Sequence, residues 1–307
     1  MSLSRQLLLR ASHNRWLARE LPRRAFVRRA VRRFMPGEDV SDAFRAASEL
    51  APFGIGVLFT RLGENVTSLS EAAAERDHYL GVLDRIRQAG VGGQISVKLT
   101  HLGLDVDRDV CAEHVRALAA HAAETGSFVW IDMEDSHYTD ATLHLFRRVR
   151  ETQQMVGVCL QSYLRRTAAD LDRLLPLAPA IRLVKGAYAE PPERAFPEKR
   201  RVDENYLTLG TRLLEAAARR NALSVFGTHD AQLIARLRER AGALHVPRDR
   251  FEFDQMYGIR AADQRSLTAS GASVRVLISY GSDWFPWYMR RLAERPANVW
   301  FVLKNLV

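Results

Sequence analysis

Three observations predict an α/β chain that closes into a (β/α)8 barrel: eight short apolar runs rich in β-branched residues, longer Ala/Leu/Arg/Glu-rich segments between them, and no glycine fingerprint of an open nucleotide-binding sheet. The runs are Ile55–Thr60, Ile95–Leu99, Phe128–Met133, Val156–Leu160, Ile181–Val184, Leu223–Gly227, Phe251–Phe253 and Val274–Ile278. Between them, Cys111–Glu124, Thr139–Thr152, Ala168–Leu175, Asn205–Arg220 and Ala231–Ala241 repeat apolar residues three or four apart, the spacing of one helix face. Nearly continuous apolar strands suit a parallel sheet covered by helices, and eight of them favour closure over an open doubly wound sheet. A GxGxxG after a strand is approached only by Gly54-Ile55-Gly56, without the third glycine, and the chain contains no GxxxxGK[ST], HExxH or GxSxG.

The chain has 307 residues, 47% hydrophobic and 26% charged, the balance of a globular protein. No apolar run approaches the roughly 18 residues of a membrane span. Leu7-Leu8-Leu9, bracketed by Arg5 and Arg10, is too short for the heart of a secretory signal, so a cytoplasmic location is expected. Cys111 and Cys159 lack the paired spacing of a metal site or disulfide framework, so both are expected to pack in the core and no metal is expected. The net charge of +9 is concentrated in residues 1–36, which hold ten arginines and one acid, Glu20. The remainder is balanced, so the reading is a basic helical arm, 1–36, and a single catalytic (β/α)8 domain, 37–307. Trp16, Phe26, Val27, Val31 and Phe34 interleave the arginines at near-helical spacing, which favours helices packed on the body over a nucleic-acid-binding arm.

In a (β/α)8 barrel the active site forms at the strand C-termini. There the sequence places Lys98 on strand two, Asp132 and Glu134 on strand three, and Gln161 and Tyr163 on strand four. Strand five runs into Arg182, Lys185 and Tyr188, strand six into Thr228, His229 and Asp230, and strand seven into Glu252, Asp254 and Tyr257. Each alone is an ordinary polar strand end, whereas the cations on strands two and five together point to an anionic ligand. After strand eight, a helix over Phe285–Glu294 carries adjacent Arg290 and Arg291. Side chains about 100° apart on one helix can flank a small carboxylate with two forks of N–H donors. A solvated basic turn answering Glu294 and the helix dipole is the alternative.

These motifs resemble the monofunctional bacterial proline dehydrogenase family. The resemblance rests on Ser96-Val97-Lys98-Leu99, Ile131-Asp132-Met133-Glu134, Arg182-Leu183-Val184-Lys185-Gly186-Ala187-Tyr188, Gly227-Thr228-His229-Asp230, Phe251-Glu252-Phe253 with Tyr257-Gly258, and Arg290-Arg291-Leu292-Ala293-Glu294-Arg295-Pro296. Arg32–Glu38 and Leu62–Val66 also fit, so the ordered matches run from about residue 25 to 307. The resemblance implies a distorted (β/α)8 TIM barrel with N-terminal helices, its last helix over the mouth and FAD at the strand C-termini. It implies oxidation of L-proline to 1-pyrroline-5-carboxylate by hydride transfer to flavin N5, with electrons passed to a quinone.

Carried onto this chain, the resemblance makes Asp132 and Arg182 the catalytic residues. Lys98, Tyr188, Met256, Leu277, Arg290 and Arg291 would bind substrate, the two arginines clamping its carboxylate. Met133, Gln161, Arg182, Val184, Lys185, Gly186, Ala187, Thr228, His229 and Glu294 would bind FAD or orient the residues that do. The chain departs from the family at Leu277 (usually Tyr), Trp287 (Tyr), Asp254 (Gln), Met256 (Leu) and Ser279 (Pro). The altered walls leave open a substituted or larger ring, hydroxyproline or pipecolate. Another class of function, a non-catalytic barrel binding anionic surfaces through its arm, is the remaining alternative. Family members work beside membranes without crossing them, so a weak peripheral contact at the inner membrane face is also implied.

Overall fold

The structure, a computed structural model, describes Val27, Arg29, residues 31–219, 222–289 and 292, and the backbone alone of Arg290, Arg291, Ala293 and Glu294. Its centre is a closed barrel of eight parallel strands in sequence order: β1 Gly56–Arg61, β2 Gly93–Val97, β3 Val129–Ile131, β4 Val156–Gln161, β5 Ala180–Val184, β6 Leu223–Gly227, β7 Phe251–Met256 and β8 Val274–Tyr280. Thr60 lies opposite Ser279 where β1 and β8 close the ring. All eight expected runs are strands. β7 and β8 continue further than expected, because Asp254 and Ser279 are polar residues that face the barrel interior.

The five expected helices are present as Arg108–Thr125, Thr139–Arg150, Thr167–Leu174, Lys199–Ala218 and Ala231–Ala243. Helices at Val40–Leu50, Leu69–Ala89 and Ala261–Ala269 also form. The second of these starts at a capping box, in which Ser68 accepts from the Glu71 backbone while Glu71 accepts from the Ser68 backbone. Asp107 and Asp230 cap the helices that follow them with their side chains alone, satisfying first-turn N–H groups.

Alternation along the strands separates two cores. Val57, Phe59, Ile95, Val97, Val129, Ile131, Phe253 and Ile278 pack outward against the helices. Leu58, Trp130, Ala180 and Val225 come from four different strands into one cluster, which places them inside the ring. Below that cluster Arg275 closes the barrel floor, donating to Glu252 (3.1 and 3.3 Å) and to the carbonyls of Val57 and Gly92. Glu252, expected on the rim, therefore belongs to the opposite end: it is the second residue of β7 and neutralises a floor arginine.

The helix Trp284–Glu294 packs on the mouth side, its Trp284, Phe285, Trp287, Tyr288, Met289 and Leu292 sharing a buried cluster with Leu62 after β1 and touching Met256 of β7. Val27, Val31 and Met35 complete that cluster, so the described end of the arm packs on the body. Gly258 (φ +72°) lies so close to the Arg33 carbonyl that a Cβ there would clash at 1.6 Å. The rest of the arm, including Trp16 and Phe26, lies outside the described residues. Among the described residues no helix is long and apolar enough to cross a membrane.

Candidate active site at the barrel mouth

Arg182, the third residue of β5, points inward and meets side chains from four other strands. Its Nε donates to Cys159 Sγ at 2.9 Å, and its Nη2 donates to Ser96 Oγ at 2.7 Å and to Asp132 Oδ1. Its Nη1 lies 3.5 Å from Asp254 Oδ2, and the guanidinium carbon sits 5.3 Å from the Trp130 ring centroid. Burial works against this charge, but Cys159, Asp132 and Asp254 outweigh it and hold the guanidinium above its ordinary range. Asp132 also accepts from Ser96 Oγ at 2.7 Å and lies 3.7 Å from Lys98 Nζ. β2, β3, β5 and β7 thus build one buried charge cluster beneath the mouth.

Gln161, at the end of β4, donates to the carbonyls of Met133 and Glu134 at 3.1 and 3.2 Å. Its buried Oε1 accepts nothing among the described residues. Met133 reaches this region through its carbonyl alone, because its side chain lies in the outer core. Glu134 accepts from the Thr100 backbone (3.1 Å) and hydroxyl (2.6 Å), and burial pushes it up to about 7.

Beyond β5, Val184 faces Gly227 of β6, where a Cβ would meet Val184 Cγ1 at 2.8 Å. Lys185 turns to Asp203 (2.6 Å) and Asp230 (3.0 Å), pinning the loop to the next two helices. Despite partial burial, Lys185 holds Asp230 below the usual carboxylate range. Gly186 adopts φ +113°, and a Cβ there would sit 2.2 Å from the Tyr163 ring. The close approach this glycine permits is thus to Tyr163, within the protein itself. Ala187 and Tyr188 follow half-buried. His229 Nε2 accepts from the Met256 backbone at 3.0 Å, leaving the ring proton on Nδ1, and Thr228 Oγ1 accepts from the Asp230 backbone at 3.1 Å.

Comparison with known proteins adds to this geometry. The family model described as Proline dehydrogenase matches residues 43–304. The chain belongs to the proline dehydrogenase family. It is 34% identical over 280 residues to Proline dehydrogenase 1 of Bacillus subtilis (91% of each chain), and 36% identical over 280 residues to Proline dehydrogenase of Deinococcus radiodurans (90% of this chain, 89% of that one). Membership makes the chain an oxidoreductase. Among solved structures, proline utilization A from Bdellovibrio bacteriovorus superposes with a TM-score of 0.83 at 22% identity, covering 95% of this chain. That from Bradyrhizobium japonicum gives 0.74 at 22% identity over 90% of this chain. The chain spans about a third of these two larger proteins (36% and 32%), which share its fold.

Within this family member, Lys98, Asp132 and Arg182 come together in the charge cluster, while Gln161, Val184, Thr228 and His229 stand around the ends of β4 to β7. Met256 lies at the end of β7 beside the last helix, and Leu277 is half-buried against the inner apolar cluster. The side chains of Arg290, Arg291 and Glu294 lie outside the described residues. Sequence reasoning gave Ser96 no role, although it hydrogen-bonds both Asp132 and Arg182. The period-two pattern contains that signal, since Ser96 is two residues before Lys98 on the same interior face. Tyr79 was also missed: its hydroxyl accepts from the Arg61 backbone (2.9 Å) and donates to the Ser96 carbonyl (3.0 Å), stitching a surface helix to β1 and β2.

Proposed function

We propose that this chain oxidises L-proline to 1-pyrroline-5-carboxylate with FAD bound at the barrel mouth and a quinone as final electron acceptor. The observation that carries this reading is the buried Ser96–Asp132–Arg182 cluster with Lys98 beside it, a preorganised charge cluster beneath the barrel mouth within a family of proline dehydrogenases. The residues present suit a flavin. Gln161 keeps a buried acceptor for which the described residues supply no donor, and a flavin ring offers N–H groups.

FAD held by Gln161, Val184 to Ala187, Thr228 and His229 would supply a hydride acceptor for the proline ring carbon next to nitrogen. Arg182 contributes a fixed positive charge where negative charge arrives, and Asp132 and Ser96 hold it in place. Lys98 attracts the substrate carboxylate, with Arg290 and Arg291 as the clamp. Tyr188, Met256 and Leu277 wall the ring. Apolar Leu277 offers that ring no hydroxyl, which supports a second substrate reading, a substituted or six-membered ring such as hydroxyproline or pipecolate. The arginines of the arm support weak attraction to an anionic membrane surface from the cytoplasmic side.

The purified protein should show a flavin absorption band that bleaches anaerobically on adding proline; a colourless protein, or a band indifferent to every cyclic amino acid, refutes the reading. Running hydroxyproline and pipecolate beside proline separates the two substrate readings. Arg291→Lys should raise KM about tenfold to a hundredfold, because a point charge replaces a planar fork. Sedimentation with anionic liposomes, with and without residues 1–20, decides the membrane contact.

A further inference from the structure

Asp254 stands apart from the other charges inside the barrel. Its residue is only 6% exposed, yet neither carboxylate oxygen accepts a hydrogen bond among the described residues. Its nearest counter-charge, Arg182 Nη1 at 3.5 Å, is beyond a well-formed hydrogen bond, while Arg182 spends its other donors on Cys159, Ser96 and Asp132. A guanidinium already paired with one carboxylate gains little from a second buried one, and an apolar residue of similar size would spare the desolvation cost.

The surrounding groups define what this carboxylate does. On its own strand, Glu252 repels it; on β8, Arg275 attracts it but is already matched by Glu252 through two hydrogen bonds. On β4, Cys159 is a neutral thiol, pushed up by burial to about 11. On β6, the facing residue is Gly227, and behind the strand Tyr206 stays neutral because burial raises its hydroxyl well above the ordinary value. The mouth cluster therefore consists of Lys98, Arg182, Asp132 and Asp254. With Asp254 ionised these four sum to zero; with Asp254 protonated they carry one surplus positive charge.

We propose that Asp254 is a positioning residue whose protonation decides whether the cluster around Arg182 presents surplus positive charge to the barrel mouth. Burial, reinforced by Glu252 and opposed by Arg182 and Arg275, pushes its carboxyl up to about 7, so both states are reached near neutral pH. The protonated state favours arrival of negative charge at the mouth. The ionised state opposes it. This role rests on the proposed function, because it acts on the cofactor through Arg182.

The test compares the flavin-loaded wild type with Asp254→Asn, which fixes the neutral form in the same shape, from about pH 6 to about pH 8, a window that brackets the Asp254 value. The two flavin midpoint potentials should nearly coincide at the acid end, with the wild type falling below the variant at the alkaline end. The ratio of variant to wild-type anaerobic reduction rates should rise about threefold to tenfold over the window, as expected for one buried charge placed near the acceptor. The wild-type thermal midpoint should also fall relative to the variant up to about pH 7 and level off beyond it, because below that value the folded state keeps a proton that the unfolded chain has already released.

Parallel potentials together with parallel thermal midpoints overturn the proposal. If the purified wild type carries no flavin, the functional reading fails while the thermal midpoints still decide the titration: a gap opening with pH supports it, and a constant gap overturns it. If Asp254→Asn does not fold, infrared spectra of wild type labelled with ¹³C-aspartate take its place. A protonated carboxyl band lost across the same window supports the proposal, and its absence overturns it.

Discussion

The two ends of the barrel interior are lined by the same device, polar side chains on the inward face of alternating strands, yet they differ in how completely those groups are satisfied. At the floor, Arg275 is used up by Glu252 and two carbonyls, and Trp130 Nε1 donates to Gln94 at 2.7 Å. At the mouth, Gln161 Oε1, both Asp254 oxygens and Ser279 Oγ are buried without a hydrogen-bond partner among the described residues. A buried polar group left unpaired costs about 1–3 kcal/mol, so a fold keeps such groups where something else uses them. The floor therefore reads as structure and the mouth as a place prepared for a ligand.

The largest expected effect comes from Arg182→Ala. It strands Asp132 and Asp254 in the interior, and breaking a buried pair in this way costs about 3–5 kcal/mol. Denaturant unfolding should show that loss, and stopped-flow flavin reduction in the folded fraction should slow far more than substrate binding weakens. Unchanged bleaching would remove Arg182 from the chemistry and leave it a structural ion.

Arg275→Ala makes the matching cut at the floor. Losing four hydrogen bonds and stranding Glu252 should cost about 3 kcal/mol in the same unfolding experiment, while the reduction rate of the folded protein at about pH 6, where Asp254 is protonated with or without Arg275, stays within about twofold. If that rate instead drops as it does in Arg182→Ala, the two ends are one electrostatic unit and the contrast between them is wrong.

The barrel was legible in the sequence because its strands are nearly continuous apolar runs, and such runs have few alternatives to a buried parallel sheet. The mouth was partly legible: Lys98 and Asp132 sit at strand ends and Arg182 breaks the apolar run of β5, places where polar residues stand out. Glu252 was misplaced because ending the strand at Phe253, three residues short of Met256, exchanges the floor for the rim, and charge type alone does not tell the two ends apart. Ser96, whose spacing from Lys98 gives its face but not its role, and Tyr79 were missed for another reason. Small hydroxyls and phenols fit apolar runs and amphipathic helices without breaking the pattern, so only their partners reveal them.

Gly186→Ala sharpens the comparison from the loop above β5. The added methyl meets the Tyr163 ring and the backbone must hold φ +113° with a side chain, a strain of about 1–3 kcal/mol. The loss should appear as faster proteolysis of the segment around residues 186–195 and weaker flavin retention, with the unfolding of the barrel little changed. Equal loss of barrel stability would show that this loop is part of the structural core.

Glu134 tests whether location or satisfaction separates the two ends, because it lies at the mouth and is nonetheless fully engaged by Thr100. Burial raises its carboxyl to about 7, so the folded state binds a proton that the unfolded chain has released above its ordinary value of 4.5. Stability must then fall as pH climbs from about 4.5 to about 7 and level off beyond, by at most about 1.4 kcal/mol per pH unit for one group. Glu75, also raised to about 7 chiefly by burial, and Asp254 add to the same decline. Glu134→Gln keeps an acceptor for the Thr100 backbone and removes one of the three titrations, so the decline should become shallower by about a third. Flavin reduction should keep its pH profile, since the Glu134 oxygens are held by Thr100 rather than by Arg182, the charge that faces the acceptor. Should that profile shift in Glu134→Gln as it is expected to in Asp254→Asn, position at the mouth would be what couples a group to the chemistry, and the unpaired oxygens of Asp254 would lose their significance.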